Sequence, residues 1–155
     1  MASTESSLSW EWKRLTELCA EDLYQIVATR QSVFVVEQKC AYQDCDGLDS
    51  RSRHLIGWMS ASEGKRVGAY CRLVEPGAKY AEPSIGRVLT VPALRGRGFG
   101  SFAVRLVLEK SGKLYPGLQV RIAAQRHLTN FYEDLGFKVT SDPFDEGGIP
   151  HIEKI

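Results

Sequence analysis

Nowhere does the chain carry an apolar run approaching the roughly 20 residues that cross a bilayer, so no helical membrane span is expected. It has no excess charge of either sign: 20 Lys and Arg stand against 19 Asp and Glu, a formal net charge of +1. Neither nucleic acid nor a membrane is therefore expected as partner, although a local basic patch stays open. No CxxC pair occurs. Cys19, Cys40, Cys45 and Cys71 stand apart, the chain has only 3 histidines, and no metal is expected. The cysteines read as reduced thiols of a cytoplasmic protein, with Cys40 and Cys45, which share a polar loop, open to a redox role. The Ser/Thr-rich start, Met1 to Ser7, lacks the apolar core of a secretory signal. It reads as a mobile tail ahead of a single domain over 8–155.

Periodicity supplies the elements. Trp10, Trp12 and Leu15 open a short strand. Leu23, Ile26, Val27, Arg30 and Phe34 recur at helical spacing, predicting a helix over 20–36 with Glu21 and Asp22 suiting its first turn. A polar loop follows over 37–53, marked by Asp46-Gly47, and ordered loops of that length are often functional. Its Asp44, Asp46 and Asp49 lack the further ligands and closing Glu of a calcium loop, and read as solvated carboxylates. Strands are predicted at 54–60 and 66–74, joined by a turn at 62–65, and at 84–91, a central strand ended by Pro92. Phe99, Phe102, Ala103, Leu106 and Val107 mark one face of a second helix. A strand over 118–125, a short helix over 127–135 stopped by Gly136, and closing strands at 138–144 and 150–155 complete the order. Mixed strands and helices in this sequence indicate an α/β or α+β layered sheet, not a doubly wound repeat.

Between the central strand and the second helix lies Val91-Pro92-Ala93-Leu94-Arg95-Gly96-Arg97-Gly98-Phe99-Gly100-Ser101. Glycines at alternate positions let the backbone bend so that its amides converge on an anion at the positive end of the helix. Arg95 and Arg97 add charge. No Lys follows the glycines, as a P-loop requires, and the spacing is GxGxG where a dinucleotide fold has GxGxxG. Such a loop either cradles a pyrophosphate or merely packs a helix on a sheet.

Arg95-x-x-Gly98-x-Gly100 after Leu89-Thr90-Val91 resembles the acetyl-CoA signature of the GNAT (Gcn5-related) N-acetyltransferases, and Phe131-Tyr132-Glu133-Asp134-Leu135-Gly136-Phe137 resembles the family's second motif. Arg30-x-x-Val33-Phe34-Val35-Val36-Glu37-Gln38, Tyr42-Gln43-x-x-Asp46-Gly47-x-Asp49, Ile85-Gly86-Arg87-Val88, Ala124-Gln125-x-His127-Leu128 and Gly148-Ile149-Pro150-His151-Ile152 are similar to the ElaA-type subgroup. The resemblance spans about Trp10 to Ile155. It implies the GNAT fold: a mixed, V-split central sheet of six or seven strands, flanked by helices, with acetyl-CoA in the split between strands 84–91 and 118–125.

The same resemblance implies roles. The strand end Leu89-Thr90-Val91 would bind the pantetheine arm, with the backbones of Leu89 and Val91 bonding it and the Val91 amide stabilising the oxyanion, a contribution of about 3 kcal/mol to the barrier. Arg95, Gly96, Arg97, Gly98, Phe99, Gly100 and Ser101 would hold the pyrophosphate. Tyr132 would touch the coenzyme and serve as general acid toward the departing thiolate. Many members carry an Asn seven positions before this Tyr; here it is Gln125. Some use a Glu on the central strand as base, and Ile85-Gly86-Arg87 offers none. Glu37, His54, His127 and His151 are the alternatives, Glu37 first and His151 next. Arg30 and Arg87 either bind a substrate carboxylate or pair with loop aspartates; with His54 they form the candidate substrate-binding set.

The implied reaction moves an acetyl group from acetyl-CoA to a primary amine of a small molecule or peptide in a ternary complex. Two rivals stand: an acyl-CoA-binding sensor or interaction domain without turnover, and an acyl-homoserine lactone synthase, for which the chain is short. The closing strands could also pair between subunits of a homodimer.

Overall fold

In the computed structural model, residues 8–62, 64–125, 128–138, 144–146 and 149–154 are described; the predicted tail and His127 lie outside them. Strand β1 (Ser9–Arg14) leads to helix α1 (Ala20–Arg30), whose first turn is capped by the Cys19 Sγ accepting from the Asp22 amide at 3.4 Å. The helical path continues past Arg30, but Gln31–Glu37 widens to π pitch, with the Gln38 amide bonding the Val33 carbonyl. The wider turn keeps Val33 and Phe34 buried together and still brings Glu37 round to the loop after the central strand.

Strands β2 (Ser52–Ala61), β3 (Gly64–Val74) and β4 (Ser84–Thr90) follow as an antiparallel meander. Helix α2 (Phe99–Leu114) crosses to β5 (Arg121–Gln125), which lies parallel to β4. The strand expected from 118 starts later because the Leu118 amide turns back onto the Tyr115 carbonyl after Pro116-Gly117. Helix α3 (Thr129–Asp134) precedes the hairpin β6 (Phe144–Glu146) and β7 (Ile149–Lys154). Of the strand predicted over 138–144, residues 139–143 lie outside the described set, and β6 is described over Phe144–Glu146. The seven strands run β1-β2-β3-β4-β5-β7-β6.

Alternation on the strands divides the apolar side chains between two faces. Leu55, Cys71, Leu73, Ile85 and Ile122 pack under Ala103, Val104 and Val107 of α2 and Tyr132 of α3. Ile56, Trp58, Val67, Tyr70 and Leu89 pack under Ile26, Val33 and Phe34. Helices thus cover both faces of the sheet.

Two irregularities of β4 position everything that follows. Tyr70 pairs with Leu89 but Arg72 with Gly86, so Arg87 and Val88 together oppose Cys71: a β-bulge, with Arg87 at φ +52°. The bulge slips the alternation, and Ile85 and Val88 share the α2 face although three residues apart. On the other edge β5 pairs with β4 only at Ser84 and Ile85. Beyond Ile85 the two parallel strands diverge, which is the predicted V-shaped split.

Candidate active site

The divergence of β4 from β5 opens a cleft of about 460 Å³. Val88, Leu89 and Thr90 line it from the strand, Arg95 to Ser101 from the glycine loop, and Phe131 and Tyr132 from α3; of the loop residues, Arg97 faces a neighbouring hollow with Arg105 instead. Gly96 and Gly98 adopt φ +80° and +82°, left-handed conformations that a side chain would strain. The first helical bond of α2 runs from the Phe102 amide to the Gly98 carbonyl. Among the described residues, no carbonyl accepts from the N–H groups of Gly96 through Ser101. These donors sit at the positive end of a 16-residue helix.

Strand β4 corrects the expectation for Val91. Its amide donates to the Gly68 carbonyl at 2.9 Å, so it is not available to an oxyanion. Because Val91 and Gly68 form a hydrogen-bonded pair, the antiparallel alternation makes Leu89 and Tyr70 another, and turns Thr90 outward between them. The main-chain edge that faces the split is therefore that of Thr90, with Leu89 and Val91 directed to β3. Arg95 Nε donates to the Thr90 carbonyl at 2.9 Å, leaving the Thr90 amide toward the split.

Arg95 bears on the expectation for Glu37. Its Nη2 donates to Glu37 Oε1 at 2.7 Å and its Nη1 to Oε2. The guanidinium thus clamps the π turn to the loop and Thr90 while lining the cleft. The same bonds hold the Glu37 carboxyl below its ordinary range, which makes it a poorer proton acceptor, not the better one a general base needs.

Tyr132 is buried, 5% exposed, at the cleft wall, with Phe131 edge-on at 4.9 Å and Phe137 at 5.9 Å. Burial pushes its phenol well above the ordinary value. The hydroxyl is consequently neutral throughout the working range and acts as a hydrogen-bond donor. Gln125 ends β5, its backbone paired with His151 of β7; both thus belong to the arm of the split opposite β4.

Arg30 and His54 lie away from the cleft, whereas Arg87 lines a hollow that adjoins it. Arg30, 1% exposed, donates through Nε to Asp44 Oδ2 at 2.9 Å and through Nη1 to Asp49 Oδ1 at 2.8 Å. Buried Arg72 of β3 grips Asp46 with Nη1 and Nη2 at 2.9 and 2.8 Å, and Asp49 at 3.1 Å. Arg87 Nε reaches Asp44 Oδ1 at 2.8 Å. His54 is 1% exposed, with Nδ1 2.5 Å from the Tyr70 hydroxyl and Nε2 3.0 Å from the Asp49 carbonyl.

For Arg30 the loop-aspartate alternative is the one realised; Arg87 also pairs with the loop aspartates, through Nε and Nη2, and the aspartates are bound counterions, not solvated carboxylates. His54 is enclosed in the same cluster, and burial lowers its pKa, so it neither meets a substrate nor serves as base from there. Burial alone would raise Asp46 and Asp49, but the arginines outweigh it and hold both carboxyls below their ordinary range. Sequence reasoning missed Arg72 altogether; a lone cation inside the run Ala69-Tyr70-Cys71-Arg72-Leu73-Val74 was the available signal. Cys40 is buried and Cys45 exposed, and they form no disulfide.

A split parallel pair, a bulged central strand and a glycine loop with open amides define the acyl-CoA-dependent acyltransferases of the GNAT type. A family model for the acetyltransferase (GNAT) domain matches residues 21–153, and the chain belongs to that family. It is similar to the UPF0039 protein sll0451 of Synechocystis sp., 45% identical over 96% of this chain and 94% of the relative. Protein ElaA of Escherichia coli is 38% identical over 92% of this chain and 93% of its own. The crystal structure of an acyl-CoA N-acyltransferase from Pseudomonas aeruginosa superposes with a TM-score of 0.87 at 36% identity, covering 96% of this chain and 98% of the other. No described helix is long and apolar enough to cross a membrane.

Proposed function

We propose that the protein is an N-acetyltransferase that carries an acetyl group from acetyl-CoA to a primary amine of a small molecule or peptide. The observation that carries this reading is the set of unclaimed N–H groups over Gly96–Ser101, opening onto the cleft that also holds Thr90 and Tyr132. A diphosphate supplies the acceptors those donors lack. The pantetheine arm then runs along the outward edge of Thr90, and its thioester reaches Tyr132.

The amine attacks the thioester carbonyl carbon as the neutral base. The tetrahedral intermediate carries its negative charge on oxygen, and the Thr90 amide is the strand donor on the split side. Collapse expels the CoA thiolate, to which the Tyr132 hydroxyl donates. Since burial makes that phenol a weak acid, its contribution is a hydrogen bond that strengthens as charge develops on sulfur. The proton from the amine leaves to water or to His151, since Glu37 and His54 are committed to Arg95 and the arginine cluster.

A specific observation favours one second reading. The carboxylate best placed in sequence to be a base, Glu37, is tied to Arg95, as suits a coenzyme-binding sensor without turnover. Release of free CoA in the presence of a broad amine panel separates the two, with Tyr132→Phe as control. Amine-dependent release that falls in the variant supports the enzyme. Tight acetyl-CoA binding with no amine-dependent release supports the sensor.

A further inference from the structure

Behind Tyr132, on the bulge side of β4, a second hollow of about 90 Å³ adjoins the cleft. The two share Gln38, Val88, Leu128 and Tyr132 as walls. A molecule in the hollow therefore lies against the same phenol as a thioester in the cleft. Its volume admits the end of a small molecule, well short of the 300–1,000 Å³ that enclose a drug-sized ligand.

Among the described residues, the fully charged side chains that line this hollow are Arg72, Lys79 and Arg87. Asp44, Asp46 and Asp49 hold the arginines from the far side and do not line it. Arg72 is 1% exposed, and its bonds all leave through Nη1 and Nη2. Its Nε is buried with no hydrogen-bond partner among the described residues. Arg87 likewise spends Nε and Nη2 on Asp44 and Asp46, with no described acceptor on Nη1. Arg72 Nε is itself closed off from the hollow, so Arg87 Nη1 is the guanidinium donor there that an acceptor arriving from outside would meet.

Resting on the acetyltransferase reading above, we infer that the amine acceptor is a small molecule bearing a carboxylate, which seats in this hollow against Arg72 and Arg87 while its amino group faces Tyr132. A carboxylate fits better than a phosphate. The cluster of Arg30, Arg72 and Arg87 with Asp44, Asp46 and Asp49 is already formally balanced, and offers open donors for a monoanion without surplus charge for a dianion. The bulge is then a positioning device: it turns Arg87 out of strand alternation so that the Nε and Nη2 edge of its guanidinium meets the aspartates, its face lies over the Tyr42 ring, and Nη1 is left without a described acceptor.

The test uses ω-amino carboxylates from glycine to 6-aminohexanoate, n-alkylamines of matching carbon number, and O-phosphoethanolamine. Acetyl-CoA affinity is measured first by calorimetry; absence of binding there defeats the acetyltransferase reading itself. With coenzyme bound, at least one carboxylate is expected to be acetylated with a KM at least about tenfold below its alkylamine partner, the lower end of what a hydrogen bond to a charged group contributes. Arg87→Met is expected to abolish that preference by raising KM for the carboxylate alone, with Arg87→Lys retaining part of it. The inference is overturned if alkylamines or O-phosphoethanolamine are preferred, if no carboxylate is acetylated by coenzyme-bound protein, or if the preference survives in Arg87→Met.

Discussion

Strand β4 runs between two polar regions that treat charge in opposite ways. Beside its bulge, Arg30, Arg72 and Arg87 are met almost bond for bond by Asp44, Asp46 and Asp49, all supplied by the chain itself. Beyond its far end, the glycine loop presents N–H groups that no described carbonyl accepts. The first region folds a long polar loop onto the sheet, where the entropy of ordering it is offset by buried charge-assisted bonds. The second leaves its donors to solvent or to an arriving anion. Within one sheet, the difference separates charge met by the chain itself from partial charge left open.

The comparison breaks most severely at Arg30. Arg30→Met removes one of two arginine partners from each of Asp44 and Asp49, and losing one partner of a buried pair costs about 3–5 kcal/mol. For a chain of this size that corresponds to a fall in Tm of about 10 °C or more, read by calorimetry. Acetyl-CoA affinity of the folded fraction should change little. At the other region, Tyr132→Phe should leave the fold intact and lower kcat by about 100-fold, with KM for acetyl-CoA within about twofold, as for loss of a donor used mainly in the transition state. Next in size is Gly98→Ala. A Cβ at φ +82° costs about 1–2 kcal/mol, so coenzyme affinity should weaken about tenfold in calorimetric titration.

The smallest effect is in pH. His54 is held below its ordinary value, so the unfolded chain binds its proton more readily. Its stabilising contribution is full above about 6.5 and is lost as pH falls below that. Asp46 and Asp49 are also held low, and their contribution is lost further down, as pH falls below about 4 toward their native values. Urea midpoints should therefore drop in two stages on acidification, and His54→Gln should flatten only the upper one.

The glycine loop was legible because its information is local: three glycines, a preceding strand and a following helix specify the turn wherever the rest of the chain lies. Helix and strand identity followed from periodicity for the same reason. The bulge was not legible, since Ile85-Gly86-Arg87-Val88 reads as unbroken strand and only pairing with Tyr70 and Arg72 reveals the extra residue. That one residue decides whether Val91 or Thr90 faces the split. The aspartates read as solvated because their partners lie 14 to 43 residues away. Glu37 looked like a base until Arg95, 58 residues on, was found to hold it. Residue types announced the chemistry; long-range pairing decided which of them were free to perform it.

Isothermal titration of the purified protein with acetyl-CoA addresses the open amides of the loop most directly. A single site per chain, weakened about tenfold by Gly98→Ala and scarcely altered by Arg30→Met in the folded protein, is the predicted result. Absence of heat, or an affinity indifferent to Gly98→Ala, would contradict the account.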